Sequence, residues 1–416
     1  MVRNKILLNQ GNPENSKIVW FKPLSLYKGH QTYYEKIWNE LYNVIFRNEN
    51  NLSAETICIT ESCAPYFYYS AQNEVLSKNP VLSIDIGGGS TDVSFFLNHK
   101  PQFGTSFNFA GNSIWNPGLE RRHQVRDEGI FIRYGKDFNE KVVKRLEEQG
   151  ESELKELFKE PTENIFDRYF TCDHKLKFTD ELSRDPNIKF LILLHFSSII
   201  YFCCELLKHK NLNKPEYICL SGRGSKYLSI TDPSRDLRLI NGYINNFIED
   251  IFGRNDNYKV KLLRKADTEK EATSLGGLFY LERNRNNNNK LEDVAFSENY
   301  YGEKDPEFKE LNYSQLKNDK KLINSINQNV KKFINIFFDQ NDKFNFEQNL
   351  TIKLDIELKT LQKYCLDSSY EFLEKGLAKR MQTSKESDYV NEPLFFYPII
   401  SMIYELSKMF YDNQNQ

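Results

Sequence analysis

Residues 81–97, VLSIDIGGGSTDVSFFL, constrain the fold of this chain more than any other segment. Two apolar stretches flank a turn of three glycines, which predicts two β-strands joined as a hairpin. Glycine adopts positive φ without penalty and lets backbone N–H groups approach a ligand closely. Successive amides in such a turn form a nest for an anion. Gly87, Gly88 and Gly89 therefore predict a phosphate-binding hairpin.

The polar residues of this segment extend the prediction. Ser90 and Thr91 offer hydroxyl donors to phosphate oxygens, and Asp92 adds a second acid. Asp85 lies at the rim of the turn, where its carboxylate would repel phosphate unless a hydrated Mg²⁺ lies between them. The alternative is an ordinary hairpin with a loose glycine turn. The combination of acid, glycines, hydroxyls and second acid favours a metal–nucleotide complex.

DIGGGSTDV resembles the second phosphate motif of the actin, Hsp70 and sugar-kinase superfamily. Further segments follow the order of that family: ITESCAPYFYYSA resembles its first connecting helix, FAGNSI its turn after the hairpin, YICLSGRGSKYL its adenosine motif and EATSLGGLF its second connecting helix. The resemblance covers about residues 50–282. It implies an α/β fold, namely an actin-like (ribonuclease H-like) ATPase lobe with an inserted subdomain, followed by a C-terminal all-helical region.

The resemblance also implies site residues. Glu61 would orient a water for attack on a phosphoryl group, and Asp85 would act in catalysis and hold the metal. The alternative for Glu61 is an acid favoured by a helix dipole. Arg223 stands where the family usually has glycine, and it could stack on the base, reach a phosphate or partly block the slot. The implied cofactor-binding residues are Gly87, Gly88, Gly89, Ser90, Thr91, Asp92, Gly111, Gly222, Arg223, Gly224 and Ser225.

The 416 residues are enough for two or three domains. We expect the end or a remnant of a first actin-like lobe at 1–80, a second lobe at 81–282 with an insertion at about 117–188, a linker at 283–310 and a helical region at 311–416. Residues 1–26 predict a β-hairpin, which is either a degenerate first phosphate motif with Asn9 in place of its acid or the last part of a lobe encoded elsewhere or truncated from this chain. The first lobe is therefore expected to be truncated, degenerate or supplied by another chain.

The composition of the chain limits the classes of partner and the cellular location that we expect. The formal net charge of −2 provides no basic field for nucleic acid. Seven cysteines without a CxxC pair indicate reduced thiols and a cytoplasmic location. The apolar run at 190–207 is long enough to resemble a membrane span, but it contains His195 and Glu205. We predict a helix buried in the protein and no membrane span.

The predicted ligands are ATP or ADP with Mg²⁺, and the predicted partner is a protein. The chain would be a nucleotide-dependent conformational switch or assembly factor, similar to FtsA-like, Hsp70-like or large bacterial SrfB-type proteins, with weak or partner-dependent ATP hydrolysis. One alternative is a pseudo-ATPase that binds without catalysis. Another is a kinase or exopolyphosphatase of the same fold, although exopolyphosphatases usually have Glu where this chain has Asp92.

Overall fold

The computed structural model describes residues 2–13, 16–22, 28–46, 56–75, 78–115, 130–158, 165–234, 236–253, 259–265, 271–283, 312–383, 390 and 393–414. The predicted linker lies outside these ranges except for Arg283, and so do residues 117–129 and 159–164 of the predicted insertion. The domain boundaries therefore stay predictions.

Seven strands lie in these ranges: β1 Ile18–Lys22, β2 Thr56–Thr60, β3 Val81–Ile86, β4 Thr91–Leu97, β5 Lys100–Phe107, β6 Tyr217–Ser221 and β7 Lys261–Arg264. The last five form one sheet in the order β5-β4-β3-β6-β7, and β1 pairs with β2 in a second sheet. β4 runs antiparallel to β3 and β5, whereas β3, β6 and β7 are parallel. This is the strand order of the ribonuclease H-like fold, so the predicted fold class is confirmed for this sheet.

Helices surround the two sheets. α1 to α13 are Val2–Leu8, Lys28–Phe46, Ala64–Ala71, Gly111–Trp115, Ile130–Glu148, Ser152–Phe158, Ile165–Thr171, Asp173–Leu176, Phe178–Leu182, Pro186–His209, Leu228–Thr231, Arg238–Phe252 and Glu271–Arg283. α14 to α19 are Tyr313–Asn318, Lys320–Phe344, Phe346–Leu350, Leu358–Asp367, Ser369–Thr383 and Phe396–Gln414. Two short 3-10 helices are Glu61–Cys63 and Arg223–Tyr227.

The five-stranded sheet separates two apolar cores. Leu82, Ile84 and Ile86 of β3 point into the larger core, which also contains α10 and α12. Val81 belongs to the smaller core, with the aromatic side chains of α3 and α13. Because side chains alternate along a strand, Asp85 shares the face of Val81. The hairpin acid therefore lies on the side covered by α3 and α13.

Helix α10 is the central element of the larger core. It is the one helix of the described residues that is long and apolar enough to cross a membrane, and its apolar window is wholly buried inside the protein. Asp185 caps its first turn by accepting hydrogen bonds from the backbone N–H groups of Asn187 and Ile188. The structure thus places the apolar run where a core helix was predicted.

The C-terminal region is helical, as predicted, and it packs directly on the sheet domain. Phe190 of α10 contacts Phe337 of α15 edge to face, with ring centroids 5.4 Å apart. Phe396 of α19 stacks on Phe107 of β5 at 4.4 Å. These side chains belong to one continuous apolar core, so helices α14 to α19 share their core with the lobe.

The predicted hairpin at residues 1–26 is wrong. The segment that includes KILL forms the helix Val2–Leu8, none of whose described side chains is buried. β1 pairs in parallel with β2, in the register Ile18↔Thr56, and α2 makes the crossover between them. Parallel neighbours need such a crossover, whereas a hairpin would make them antiparallel. The degenerate first phosphate motif predicted around Asn9 is therefore absent from the described residues.

The second connecting helix packs closely on the first, as its small residues predict. A Cβ atom added to Gly276 of α13 would lie 1.9 Å from the carbonyl oxygen of Ala64 in α3. A Cβ atom on the neighbouring Gly277 would lie 2.6 Å from the ring of Phe21 in β1. Glycine at 276 thus allows a backbone contact between two helices that no larger residue permits.

Gly276→Ala is expected to lower the free energy of unfolding by about 2–3 kcal/mol, because the new methyl group forces α3 and α13 apart. Urea unfolding measures this change. Leu278→Ala in the same helix is the control: its side chain is 53% exposed, so the change should stay within about 0.5 kcal/mol. Equal stability of the two variants would contradict the close backbone contact.

Candidate phosphate-binding site

The turn of the hairpin leaves two of its three glycine amides open. The N–H of Gly87 donates to the carbonyl of Ser90 at 2.9 Å and closes the turn. Gly88 and Gly89 are exposed, and no described residue accepts a hydrogen bond from their amides. None of the three glycines has the positive φ that we expected. The nest is therefore limited to the amides of residues 88 and 89.

Little in the fold itself requires glycine at these two positions. A Cβ atom on Gly89 would meet nothing within 4 Å. A Cβ atom on Gly88 would lie 3.5 Å from the side chain of Asn112, an ordinary van der Waals distance. Neither a positive φ nor crowding explains why these positions are glycine. We therefore attribute the two glycines to the access that they give to the backbone amides.

Two further turns meet at the base of the hairpin. The N–H groups of Gly111 and Asn112 donate to the carbonyls of Gly87 and Gly88, at 3.1 and 2.7 Å. From the other side, a Cβ atom on Gly224 would lie 2.3 Å from the carbonyl oxygen of Gly87. The predicted glycines of three separate segments are thus brought together, and each of these contacts fixes the hairpin.

The adenosine-motif turn packs its two glycines closely against the hairpin. Gly222 has φ +79°, and a Cβ atom there would lie 2.3 Å from Asp85 Oδ1. Both Gly222 and Gly224 therefore face the hairpin rather than open space. Ser225 is fully buried, and its hydroxyl donates to the Gly222 carbonyl at 2.7 Å. The predicted cofactor contact of Ser225 is corrected to a role in closing this turn, while Arg223 is partly buried beside it.

Thr91 also has a structural partner. Its buried hydroxyl donates to the carbonyl of Phe109 at 2.6 Å, so it is not a phosphate donor as predicted. Ser90 lies at the rim, where its hydroxyl donates to Asp92 Oδ2 at 3.2 Å. Of the two predicted hydroxyl donors, only Ser90 lies on the open side of the turn.

Three carboxylates converge beneath the turn. Asp85 Oδ2 accepts hydrogen bonds from Ser221 at 2.9 Å and from Thr273 at 3.0 Å. Burial raises the pKa of Asp85, and these two hydrogen bonds oppose the shift. Glu61 begins the 3-10 helix directly after β2, and its pKa is raised by burial and then by the charge of Asp85. Glu61 therefore lies near Asp85, as its predicted role requires.

Asp92 is the third of these acids and stands opposite Asp85 in the ladder between β3 and β4. Burial, with smaller contributions from the charges of Glu61 and Asp85, raises its pKa to about 7. Its Oδ1 is buried and has no hydrogen-bond partner among the described residues. Asp92 thus lies beneath the turn and donates nothing to a ligand, but its charge would attract a cation.

A hydrated magnesium ion fits this donor set better than a directly bound metal. No group of three or more His, Cys, Asp or Glu side chains in the described ranges is arranged to hold a metal ion. Mg²⁺ keeps several waters and is usually held by one or two carboxylates together with substrate phosphates. Asp85 beside the open amides supplies such a carboxylate.

The sequence analysis missed several residues of this site. Ser221 and Thr273 lie inside the segments matched to the adenosine motif and the second connecting helix, so a search for polar neighbours of Asp85 could have found them. Asn112 lies inside FAGNSI. His195 was noticed only as a polar residue in an apolar helix, because nothing in the sequence indicates its partners. It contacts Ala110 and Tyr227, which flank the two glycine turns.

No protein-family model matches the chain, and no curated protein matches it either. Among solved structures, MreB5 of Spiroplasma citri bound to AMPPNP matches at 14% identity over 66% of this chain and 71% of that chain, with a TM-score of 0.28. Ta0583, an archaeal actin homolog, matches at 11% identity over 68% and 74%, with a TM-score of 0.31. TM-scores this low carry no argument, so the fold assignment rests on the strand order.

The buried imidazole of His195 predicts a loss of stability in acid. Burial lowers the pKa of His195 from 6.5 to about 3. Between these values the unfolded chain binds a proton that the folded chain does not, so stability present above about pH 6.5 is lost as the pH falls. The stability of the wild type relative to His195→Phe should therefore fall by about 2–3 kcal/mol between pH 7 and pH 4.5.

Urea unfolding of both proteins at the two pH values measures this difference. The other titrating groups are present in both proteins, so their contributions to the pH dependence of stability cancel in the comparison. A difference that does not change with pH would show that His195 is protonated in the folded protein.

Proposed function

We propose that this chain binds ATP or ADP, with the phosphates at the hairpin turn. The observation that carries the proposal is the pair of open amides at Gly88 and Gly89, in the turn that directly follows the strand of Asp85. Both glycines stand where the fold itself leaves room for a side chain. Backbone N–H groups in such a turn bind negatively charged groups such as phosphate. The Mg²⁺ ion bound to the polyphosphate would balance the negative charge of the acids below the turn.

The acids have distinct places in this proposal. Asp85 would hold the hydrated magnesium ion, which shields the phosphates from its charge. Glu61 lies across from the hairpin after β2, where a carboxylate can orient a water toward the terminal phosphate. Burial and the charge of Asp85 raise the pKa of Glu61, so its carboxyl group keeps a proton more readily. Glu61 would act as a base only when a cation offsets the charge of Asp85.

A connection from the hairpin to the helical region supports a switch. Thr91 donates to the carbonyl of Phe109, whose ring stacks on Phe396 of α19 at 4.6 Å. A movement of the turn on nucleotide binding would therefore reach the C-terminal helices through one residue. A ligand that binds one arrangement of these contacts more tightly shifts the population toward it.

Gly89→Val is expected to abolish binding of Mg²⁺-ATP while leaving stability within about 0.5 kcal/mol. A Cβ atom at this position meets nothing within 4 Å, so a larger side chain has room to stand in the space that a bound phosphate would need. Isothermal titration calorimetry with thermal unfolding measures both effects. Lys100→Ala, an exposed change at the far end of the sheet, is the control and should bind as the wild type does. Unchanged ATP affinity of Gly89→Val would overturn the phosphate site.

Turnover of ATP on the same preparations separates the alternatives. Phosphate release that falls in Asp85→Asn supports hydrolysis at this site, whereas binding without release in either protein supports a pseudo-ATPase. Release from polyphosphate, rather than from ATP, would favour the exopolyphosphatase alternative.

We also propose that a second polypeptide covers the N-terminal apolar surface. Of the eleven large apolar side chains that are exposed in the described residues, eight belong to α1 and α2. Val2, Leu7 and Leu8 lie on α1, and Tyr33, Tyr34, Leu41, Val44 and Ile45 lie along one face of α2, which is the N-terminal apolar surface. The adjoining β1–β2 sheet has two parallel strands, and parallel sheets are normally larger and covered on both faces. An α/β partner that extends this sheet, such as a first lobe in another chain, fits both features.

Without such a partner, copies of the chain are expected to associate through this surface. Light scattering after size exclusion should give a mass that rises with concentration, and Val44→Glu should return it to the monomer value. Val44 is 82% exposed, so the change should not affect folding. Leu278→Glu, on an exposed site elsewhere, is the matched control. A monomer at every concentration would contradict the apolar contact.

A further inference from the structure

His195 lies in the middle of α10 with no exposed surface, and it makes two hydrogen bonds. Its Nε2 is 3.2 Å from the carbonyl oxygen of Ala110, and its Nδ1 is 3.0 Å from the hydroxyl of Tyr227. A carbonyl only accepts, so Nε2 carries the proton and donates to Ala110. Nδ1 then accepts from the tyrosine hydroxyl. The contacts thus specify one neutral tautomer.

The two partners of His195 belong to the two turns that hold the hairpin. Ala110 precedes Gly111 and Asn112, whose amides donate to the carbonyls of Gly87 and Gly88. Tyr227 ends the 3-10 helix that begins at Arg223, next to Gly222 and Gly224. One imidazole therefore spans the two turns from behind.

The ring of Phe109 completes the setting. It stacks on His195 with centroids 4.3 Å apart, and its own carbonyl accepts the hydroxyl of Thr91. The imidazole can therefore neither rotate nor be replaced by water without disturbing the first turn. A buried donor or acceptor that loses its partner costs more than the bond itself contributes.

We propose that His195 is a positioning residue that sets the spacing of the two glycine turns and so the orientation of the open amides at Gly88 and Gly89. It touches no ligand and acts through Ala110 and Tyr227. The structural part stands on these contacts alone, whereas the effect on ligand affinity rests on the proposed nucleotide site.

Three variants of the full chain test this role. His195→Phe keeps the stacked ring but removes both hydrogen bonds, and Tyr227→Phe removes one of them. Tyr243→Phe is the matched control, because its hydroxyl bonds Ser197 of the same helix at 2.6 Å. Ser197 lies within one turn of His195, and neither it nor Tyr243 hydrogen-bonds to the glycine turns.

Hydrogen exchange followed by mass spectrometry gives the first readout. Peptides covering 107–115 report the amides of Gly111 and Asn112, and peptides covering 222–231 report the second turn. We expect exchange about tenfold faster in both peptides for His195→Phe and Tyr227→Phe, the size of one lost buried hydrogen bond. Tyr243→Phe should exchange there as the wild type does, even if its global stability falls. Equal exchange in Tyr227→Phe and Tyr243→Phe would overturn the positioning role.

Calorimetric titration with Mg²⁺-ADP gives the second readout. We expect the dissociation constant to rise about tenfold in His195→Phe and Tyr227→Phe and to stay unchanged in Tyr243→Phe. If the wild type binds no ADP but the exchange difference is present, the positioning role stands and the proposed nucleotide site falls. If ADP binds equally to all four proteins, the turns do not set the amides and the proposal is wrong.

Discussion

The close approach of two glycine turns to the backbone at Ile86–Gly87 is the contact on which the site depends. Gly224 meets the carbonyl of Gly87 at a distance that excludes a side chain, and Gly111 donates its amide to the same carbonyl. The Gly87 carbonyl shares a peptide unit with the Gly88 N–H, so these contacts also fix the direction of that N–H, while the Gly87 N–H in the preceding unit is held by the Ser90 carbonyl. In the proposed site, an anion would therefore contact the amides of residues 88 and 89, which donate to no described hydrogen-bond partner. The fold and the site are thus determined by the same backbone contact.

The same packing places three acids in a region of low dielectric. Desolvation disfavours their charged forms, and like charges nearby add to that cost. Ser221 and Thr273 offset part of it at Asp85, but Asp92 keeps an oxygen without a partner. This arrangement costs stability, since an apolar pair in the ladder would avoid the desolvation. The buried carboxylates are consistent with a binding site in which a cation, bound together with phosphate, balances their negative charge.

The hairpin could be predicted from the sequence because its signals are local: apolar alternation, a glycine turn and a rim acid within one short segment. The glycines of the second turn were also found, but not their close packing against the hairpin. Position 222 must be glycine because a Cβ atom there would collide with Asp85 of β3. No local sequence pattern reveals a contact between residues so far apart in the chain. The error at the N-terminus has a similar cause. KILL suits either a helix or a strand, and the parallel pairing of β1 with β2 depends on residues far along the chain. His195 could not be found at all, since its two partners come from other elements.

The helical C-terminal region is not an independent appendage, and this bears on how a nucleotide signal would travel. Phe109 contributes its carbonyl to Thr91 of the hairpin and its ring to Phe396 of α19. A backbone shift at one end of this residue must move the ring at the other, because a close-packed core leaves no free volume to absorb it. Spatial adjacency alone does not establish coupling. Here, however, the two contacts are made by a single fully buried residue, so the hairpin and α19 cannot rearrange independently unless Phe109 releases one of them. In the proposed switch, occupancy of the phosphate turn would therefore reach α19 through Phe109.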